Sequence, residues 1–198
     1  GGGLHHAMTF QGRGFCQFND IAIAARAIQK KGEVKKIAVI DIDAHKGDGT
    51  AQIFEKDSSV ATFSIHMASG WPLDSERHNE RGELNPWFVP SDVDVPVESG
   101  EESLYCQKLE KGLNKLENEF GPFDFSIIVA GSDPYEKDGL QSSSPLKLSL
   151  EQMLRRDRIV YEFFKKRKIP QLYVLSGGYG EHAHEPYIQF LDSMITEL

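Results

Sequence analysis

The sequence predicts a doubly wound, mainly parallel α/β sheet with helices on both faces. Short, uninterrupted β-branched runs have the character of buried parallel strands, and they alternate along the chain with longer segments of helical periodicity. At 198 residues, 39% of them hydrophobic, the chain has enough apolar material for one domain and its core.

The elements follow in order. Asn19 and Asp20 form a helix cap, and residues 21–31 an Ala-rich helix stopped by Gly32. Residues 36–41 are a β-branched run expected to be a strand covered on both faces, and residues 60–66 repeat the pattern. From Met67 to about Pro90, Pro, Gly, Asn and charged residues surround Trp71 and Trp87, which predicts a long irregular rim. Residues 93–97 are a short extended edge, because Pro96 cannot donate to a ladder. Leu104, Leu109, Leu113 and Leu116 recur at near-helical spacing, so residues 101–120 form an amphipathic helix with a core-facing stripe. Residues 123–130 are another buried strand. Residues 149–168 form a helix weighted with Arg and Lys at its end and halted by Pro170. Residues 171–175 make a fourth strand, and residues 185–198 close the chain as a helix.

Composition narrows the function. The formal charge is −8, so the electrostatic attraction that nucleic-acid binding relies on is absent. An acidic surface would attract a lysine tail or a polyamine, although it also serves solubility alone. Cys16 and Cys106 are too few for a disulfide framework, which points to a reduced, intracellular protein, cytoplasmic or, in a eukaryote, nuclear. No apolar run reaches membrane-spanning length and no leader opens the chain. The chain starts Gly1-Gly2-Gly3-Leu4-His5-His6, without Met and already inside a motif, so a front part is expected to be missing.

Four polar clusters fall where predicted strands end: Asp41 to His45, Ser64 to His66, Gly131 to Asp133, and Ser176 to Tyr179. In an open parallel sheet ligands bind beyond the carboxyl ends of the strands, so these distant segments converge on one crevice. Asp41, Asp43 and His45 alternate by two and in an extended segment project to one side, and carboxylate and imidazole are suitable zinc ligands. Asp133 would complete three ligands and leave a position open for water and a substrate carbonyl, as catalytic zinc centres do. Asp-x-Asp-x-His could instead cap a helix or bind a structural cation through main-chain oxygens; the similar placement of Asp133 favours catalysis. His5 and His6 present two imidazoles from a glycine-rich loop. A purification-tag remnant is ruled out by residues 7–20, which read as native protein. Paired with Asp41 and Asp48, each histidine would gain a carboxylate that fixes tautomer and basicity, making one a candidate general base. Tyr179 follows Gly177-Gly178, where the backbone can approach a ligand and the phenol can swing to donate to an oxyanion, though a tyrosine in a glycine-rich turn is commonplace. His66, His78, His182 and His184 are taken as ordinary surface or loop histidines.

These motifs resemble the histone deacetylase family within the arginase-deacetylase superfamily, over nearly the whole chain. Gly2 to Ala7 is similar to its tandem-histidine motif, Gly14-Phe15-Cys16 with Asn19-Asp20 to the segment after it, and residues 41–49 to its metal loop. Residues 130–133 are similar to the site of its last metal ligand and residues 176–179 to its tyrosine loop. The metal and tyrosine loops are closest in wording to the class IV branch and its bacterial relatives. The resemblance implies the arginase-deacetylase fold, truncated at its N-terminus, and zinc (ferrous iron as the alternative) on Asp43, His45 and Asp133. It implies His6 as general base, His5 as its electrostatic support, Asp41 and Asp48 as the histidines' partners, and Tyr179 as the group that polarises the carbonyl. Gly14, Phe15 and Gly178 would line the acyl-lysine site. A structural potassium ion would take oxygens of Asp41, Asp43, His45, Ser64 and Ile65, and a second those near Phe54, Asp57 and Val60.

Lys46 stands where most members carry a second histidine, a position that is not a ligand. Family domains begin upstream of the glycine-histidine motif, so exposed core is expected to be covered by a partner chain or by segments missing here. The activity implied is hydrolysis of an N-acyl amide on lysine. An acetylpolyamine amidohydrolase, an arginase-like binuclear manganese ureohydrolase and an inactive acyl-lysine-binding module are the alternatives. Against the ureohydrolase, Asp133 has no second Asp two residues on, and His5, His6 and Tyr179 have no role in that chemistry.

Overall fold

A computed structural model describes residues 2–196; Gly1 and the last two residues of the predicted closing helix lie outside the described residues. The strands are β1 (Ile37–Asp41), β2 (Val60–Met67), β3 (Val93–Val97), β4 (Phe125–Ala130) and β5 (Gln171–Leu175). The helices are α1 (Asp20–Lys30), α2 (Asp48–Phe54), α3 (Tyr105–Phe120), α4 (Leu150–Lys166) and α5 (Glu185–Ile195).

All five strands are parallel, in the order β3-β2-β1-β4-β5. The period-2 alternation of a strand divides the core in two. Ala38 and Ile40 of β1 face a cluster that includes Phe63, Leu109 and Leu113 of α3, and Val160 and Phe164 of α4. Ile37 and Val39 face the opposite cluster, with Ile21 and Ala25 of α1 and Phe54 of α2. The sheet is therefore doubly wound. From β1 the chain builds outward through β2 and β3, whereas β4 and β5 lie on β1's other side. The order reverses between β1 and β4, the position where such sheets open a ligand crevice.

Several boundaries differ from expectation for physical reasons. Residues 93–97 form a full fifth strand on the edge, where the missing N–H of Pro96 is tolerated. Helix α3 starts four residues later than predicted, because residues 102–104 form a 3-10 turn that leaves Leu104 exposed, outside the buried stripe of Leu109, Leu113 and Leu116. Helix α4 begins at the capping box of Ser149 and Gln152. Helix α2 went unforeseen: it has seven residues, Gly49 is its second, and its N-cap is Gly47, which has no side chain to cap it. No helix among the described residues is long and apolar enough to cross a membrane. Both cysteines are free and buried. Edge strand β5 leaves Leu172 and Leu175 exposed, and Ile188, Leu191 and Ile195 form an exposed stripe on α5.

One buried charge ties the two halves of the sheet together. Arg156, on the core face of α4, is wholly buried. Its Nη1 donates to the carbonyl of Ile42 just past β1 (3.0 Å) and to that of Gly131 just past β4 (2.7 Å). Its Nε donates to Asp157 at 2.8 Å. The guanidinium thus bridges the two strand ends at the switch point, with Asp157 as its counter-charge. Removing one member of a buried pair strands the other and costs about 3–5 kcal/mol. Arg156→Leu is expected to lower unfolding free energy by about that amount in a urea titration, and Asp157→Leu added to it to recover part of the loss.

Candidate active site

The segment bends at residues 43–45, just past β1, with the Asp41 and Asp43 carboxylates both beside the His5 ring, at 2.6 and 3.7 Å. The backbone N–H of Asp43 donates to the Asp41 carboxylate (3.1 Å), and that of His45 to the Asp43 carboxylate (3.0 Å). With these local bonds in place His45 lies against both Asp43 and Asp133, and Asp41 sits at the strand end. Past β4, Asp133 accepts from the Ala44 N–H at 3.0 Å, which fixes the two loops against each other. His45 Nδ1 lies 3.2 Å from Asp43 Oδ1 and 2.9 Å from Asp133 Oδ2, and its Nε2 lies 3.1 Å from the Ser142 hydroxyl.

Asp43, His45 and Asp133 are buried and offer donor atoms within 4.8 Å of one another. Asp133 Oδ2 has no aligned hydrogen-bond donor. Two buried carboxylates this close repel unless a cation intervenes. Burial and the Asp43 charge push the Asp133 carboxyl up. For Asp43, burial is outweighed by the imidazoles of His5 and His45, which hold it well below the usual carboxylate range. Burial pulls His45 down, but the two carboxylates overcome it and raise the imidazole to about 10. Protons here occupy the place of a positive charge. The donor set of two carboxylates and one imidazole, with an oxygen lacking a donor, fits a divalent metal.

Gly131 and Gly177 make this crowding possible, since a Cβ on either would collide with the Asp43 and Asp133 carboxylates. The Gly177 N–H donates to Asp43 Oδ2 at 2.8 Å. Glycine in the tyrosine loop therefore serves close approach to the carboxylates. The backbone of Tyr179 is held on both sides. Its N–H donates to Asp138 (2.7 Å), and its carbonyl accepts from Gly139 (2.9 Å). Burial, then Asp43 and Asp133, push the Tyr179 phenol up, so it stays a proton donor. Gly178 lies against Ser132 at a φ of +153°, a backbone angle suited to glycine.

The tandem histidines are held by two helix starts. Asp20 accepts from the Gly3 and Leu4 N–H groups at 2.9 and 2.7 Å, and Asn19 both caps α1 and donates to the Ala7 carbonyl. From α2, Thr50 donates its N–H to the His5 carbonyl (3.0 Å), and Gly49 packs directly on the His5-His6 backbone. His5 Nδ1 is 2.6 Å from Asp41, and His6 Nδ1 is 2.6 Å from Asp48, the first residue of α2. Similar pairs acquire opposite character. Burial lowers His5, but Asp41 and Asp43 overcome it and raise it to about 9; burial and the charge of His5 hold His6 down at about 4. His6 is neutral at physiological pH, as an acceptor of protons must be.

Two adjoining chambers share His6, Gly14, Phe15, His45 and Tyr179 as lining. One, of about 180 Å³, adds Trp71, Leu140 and Ser142; the other adds His5, Asp43 and Cys16. Phe15 stands 82% exposed at the mouth with φ 65°. Gly14 is required where it is, because a Cβ would strike the Trp71 ring and His6. A larger cavity between α3 and α4, about 520 Å³, contains none of these residues.

Other assignments change or gain a setting. His66 is not a surface or loop histidine: it is buried in β2 with Nδ1 3.1 Å from the Ser64 hydroxyl, and burial with the nearby Lys46 lowers it to about 4. The Ser64–Ile65–His66 cluster lies within β2, which runs on to Met67. The Lys46 ammonium points away from the triad to Asp94 (2.5 Å) and Ser91 (3.3 Å). Ser64 accepts from the Gly47 N–H near Asp41, and Phe54, Asp57 and Val60 share the turn between α2 and β2. Sequence reasoning missed Trp71, Leu140 and Asp138 as site residues. Trp71 sits edge-on to His6 with ring centroids 4.4 Å apart, and its one legible signal was a bulky aromatic in an otherwise polar rim.

Comparison with known proteins agrees with this geometry. A probable deacetylase of Archaeoglobus fulgidus is 32% identical over 188 residues, 92% of this chain and 49% of that protein. The crystal structure of a histone deacetylase homologue from Aquifex aeolicus superposes with a TM-score of 0.75 at 28% identity, covering 99% of this chain and 50% of that one. An acetylpolyamine aminohydrolase from Burkholderia pseudomallei gives 0.73 at 26%, covering 95% and 52%. The chain spans about half the length of the relatives it matches. Residues 1–192 match the histone deacetylase domain, and the chain belongs to that family.

Proposed function

We propose that the protein hydrolyses an N-acyl amide on lysine, acetyl or longer, releasing the carboxylic acid. The observation that carries this is the buried Asp43–His45–Asp133 triad, of which His45 lines both chambers and Asp43 one, beside neutral His6 and protonated Tyr179. Zinc, with ferrous iron as the alternative, would be held by the triad, and when bound supplies a Lewis acid and a water of lowered pKa. Around it, the chain's own groups have separate tasks. With Nδ1 turned to Asp48, His6 presents Nε2 to take a proton from the attacking water, and returns it to the departing amine. The Tyr179 hydroxyl donates to the oxygen on which negative charge develops. His5, paired with Asp41 and cationic up to about pH 9, adds positive charge beside the reacting centre. Gly14 and Phe15 hold the acyl chain at the mouth, with Gly178 shaping the backbone beneath it.

An acylated polyamine is the second substrate reading, favoured by the likeness in fold to the Burkholderia aminohydrolase. A binuclear ureohydrolase draws no support, because one three-donor group, not two, is found among the described residues. An inactive binding module is disfavoured because the sequence retains each side chain assigned to chemistry. The same reading puts potassium on oxygens of Asp41, Asp43, His45, Ser64 and Ile65, and a second ion in the Phe54–Asp57–Val60 turn. It also has further polypeptide covering the exposed apolar residues of β5 and α5. The net charge of −8 argues against direct nucleic-acid binding, and the free cysteines suit an intracellular setting.

With the full-length gene product and acyl-lysine peptides, His6→Ala and Tyr179→Phe are each expected to cut kcat by roughly a hundredfold or more while bound zinc, counted by mass spectrometry, stays at the parental level. Full turnover by His6→Ala would sink the assignment. Asp133→Ala is expected to abolish both zinc retention and turnover. The proton-accepting form of His6 is lost only as pH falls through about 4, so the acid limb of kcat/KM at saturating zinc should lie near there; a limb near the ordinary 6.5 would contradict it.

A further inference from the structure

A charged side chain that the proposed chemistry leaves unused stands directly behind its base. Arg13 Nη1 lies 3.1 Å from Asp48 Oδ2, while the other oxygen of that carboxylate, Oδ1, is 2.6 Å from His6 Nδ1. The guanidinium is clamped between two indoles, 5.2 Å from the centre of the Trp71 ring and 4.9 Å from that of Trp87. Its backbone is fixed by reciprocal hydrogen bonds with Cys16, N–H to carbonyl in both directions at 2.9 Å.

We propose that Arg13 is a positioning residue for the base: held between Trp71 and Trp87, its guanidinium fixes the Asp48 carboxylate that orients His6, and ties the rim aromatic walling the pocket to the proton-transfer pair. Asp48 is fully buried, and a single imidazole contact on one of its oxygens does not compensate the carboxylate for lost hydration. Arg13 supplies the missing positive charge. The contact is ionic, not a directed hydrogen bond, since neither Arg13 Nη1 nor Asp48 Oδ2 has an aligned partner. What holds the guanidinium in place is therefore the stack. Arginine suits such a slot because its planar, weakly hydrated cation stacks on aromatic faces, whereas a lysine ammonium would keep the charge and lose the stack. With the carboxylate fixed, the His6 proton stays on Nδ1 and Nε2 faces the pocket with its lone pair. The rim is coupled to the base through the same contact, because Trp71 packs on Arg13 and on His6 together.

The inference rests on His6 being the base, so two measurements on the zinc-loaded, full-length protein keep its failure apart from failure of that reading. In the first, Arg13→Ala is expected to lower kcat for an acyl-lysine peptide about 10- to 100-fold, the range for loss of an outer-shell partner, with KM within roughly threefold. Millimolar methylguanidinium, which fits the vacated slot, restores part of that loss without affecting the parent, and Arg13→Lys falls between Arg13→Ala and the parent. Unchanged kcat would overturn the proposal. So would a loss that neither methylguanidinium nor Arg13→Lys recovers, which marks a merely structural role. In the second, ¹⁵N spectra of labelled histidine, assigned for His6 with a His6→Gln control, should show a single Nδ1-protonated tautomer in the parent and a mixture in Arg13→Ala. This reads the proposal even if the parent releases no acid, and an unaltered His6 tautomer in Arg13→Ala rejects it.

Discussion

Two carboxylates buried side by side at the point where the sheet reverses its strand order are the constraint from which the rest of the site follows. Asp43 and Asp133 arrive from strands that are neighbours in space and 90 residues apart in sequence, and a hydrogen bond from Ala44 to Asp133 locks their loops together. Such a pair is costly in a dry interior unless positive charge or aimed donors surround it. The fold provides these from every side. His45 stands between the carboxylates, the Gly177 N–H reaches Asp43 from beyond β5, and His5 Nε2 lies 3.7 Å from Asp43. Glycines at 131 and 177 are a consequence of that density, since only a residue without Cβ leaves room.

Beneath the carboxylates, Arg156 performs a related task for the backbone. The carbonyls of Ile42 and Gly131 end two central strands and have no further strand residue to bond. Buried and unsatisfied, each would cost about 1–3 kcal/mol. A guanidinium from α4 satisfies both and has its own charge answered by Asp157. The floor of the crevice is thus held by an ion pair that never faces the pocket.

The fold was largely legible because parallel strands covered on both faces leave an unmistakable run such as Ile37 to Ile40, and because ligands collect at strand ends. The tandem histidines, Asp43, His45, Asp133 and Tyr179 could all be located from that rule and the motifs. What sequence could not show was anything decided by close packing. Arg156 and Asp157 sit in a run of four charged residues, 155–158, which by composition is a solvated helix face; only the i, i+3, i+4, i+7 stripe of Met153, Arg156, Asp157 and Val160 turns them inward. Helix α2 was hidden because a short helix begun by Gly47-Asp48-Gly49 owes its stability to contact with the His5-His6 loop rather than to propensity. His66 was misjudged because a strand histidine with a hydroxyl partner carries no local mark of burial.

The two histidines show how far position outweighs identity. They are adjacent in sequence, 3.9 Å apart between ring centroids, and each is hydrogen-bonded through Nδ1 to a buried aspartate at the same distance. His5 differs in facing Asp43 as well as its own partner, so it becomes the cation of the pair. Once His5 is charged, burial and like-charge repulsion act together to keep His6 neutral. A single histidine at either position would carry one role without the other. The tandem arrangement separates a fixed positive charge from a free lone pair within one turn of loop, which is what the proposed hydrolysis, stabilising an oxyanion and moving a proton, would require.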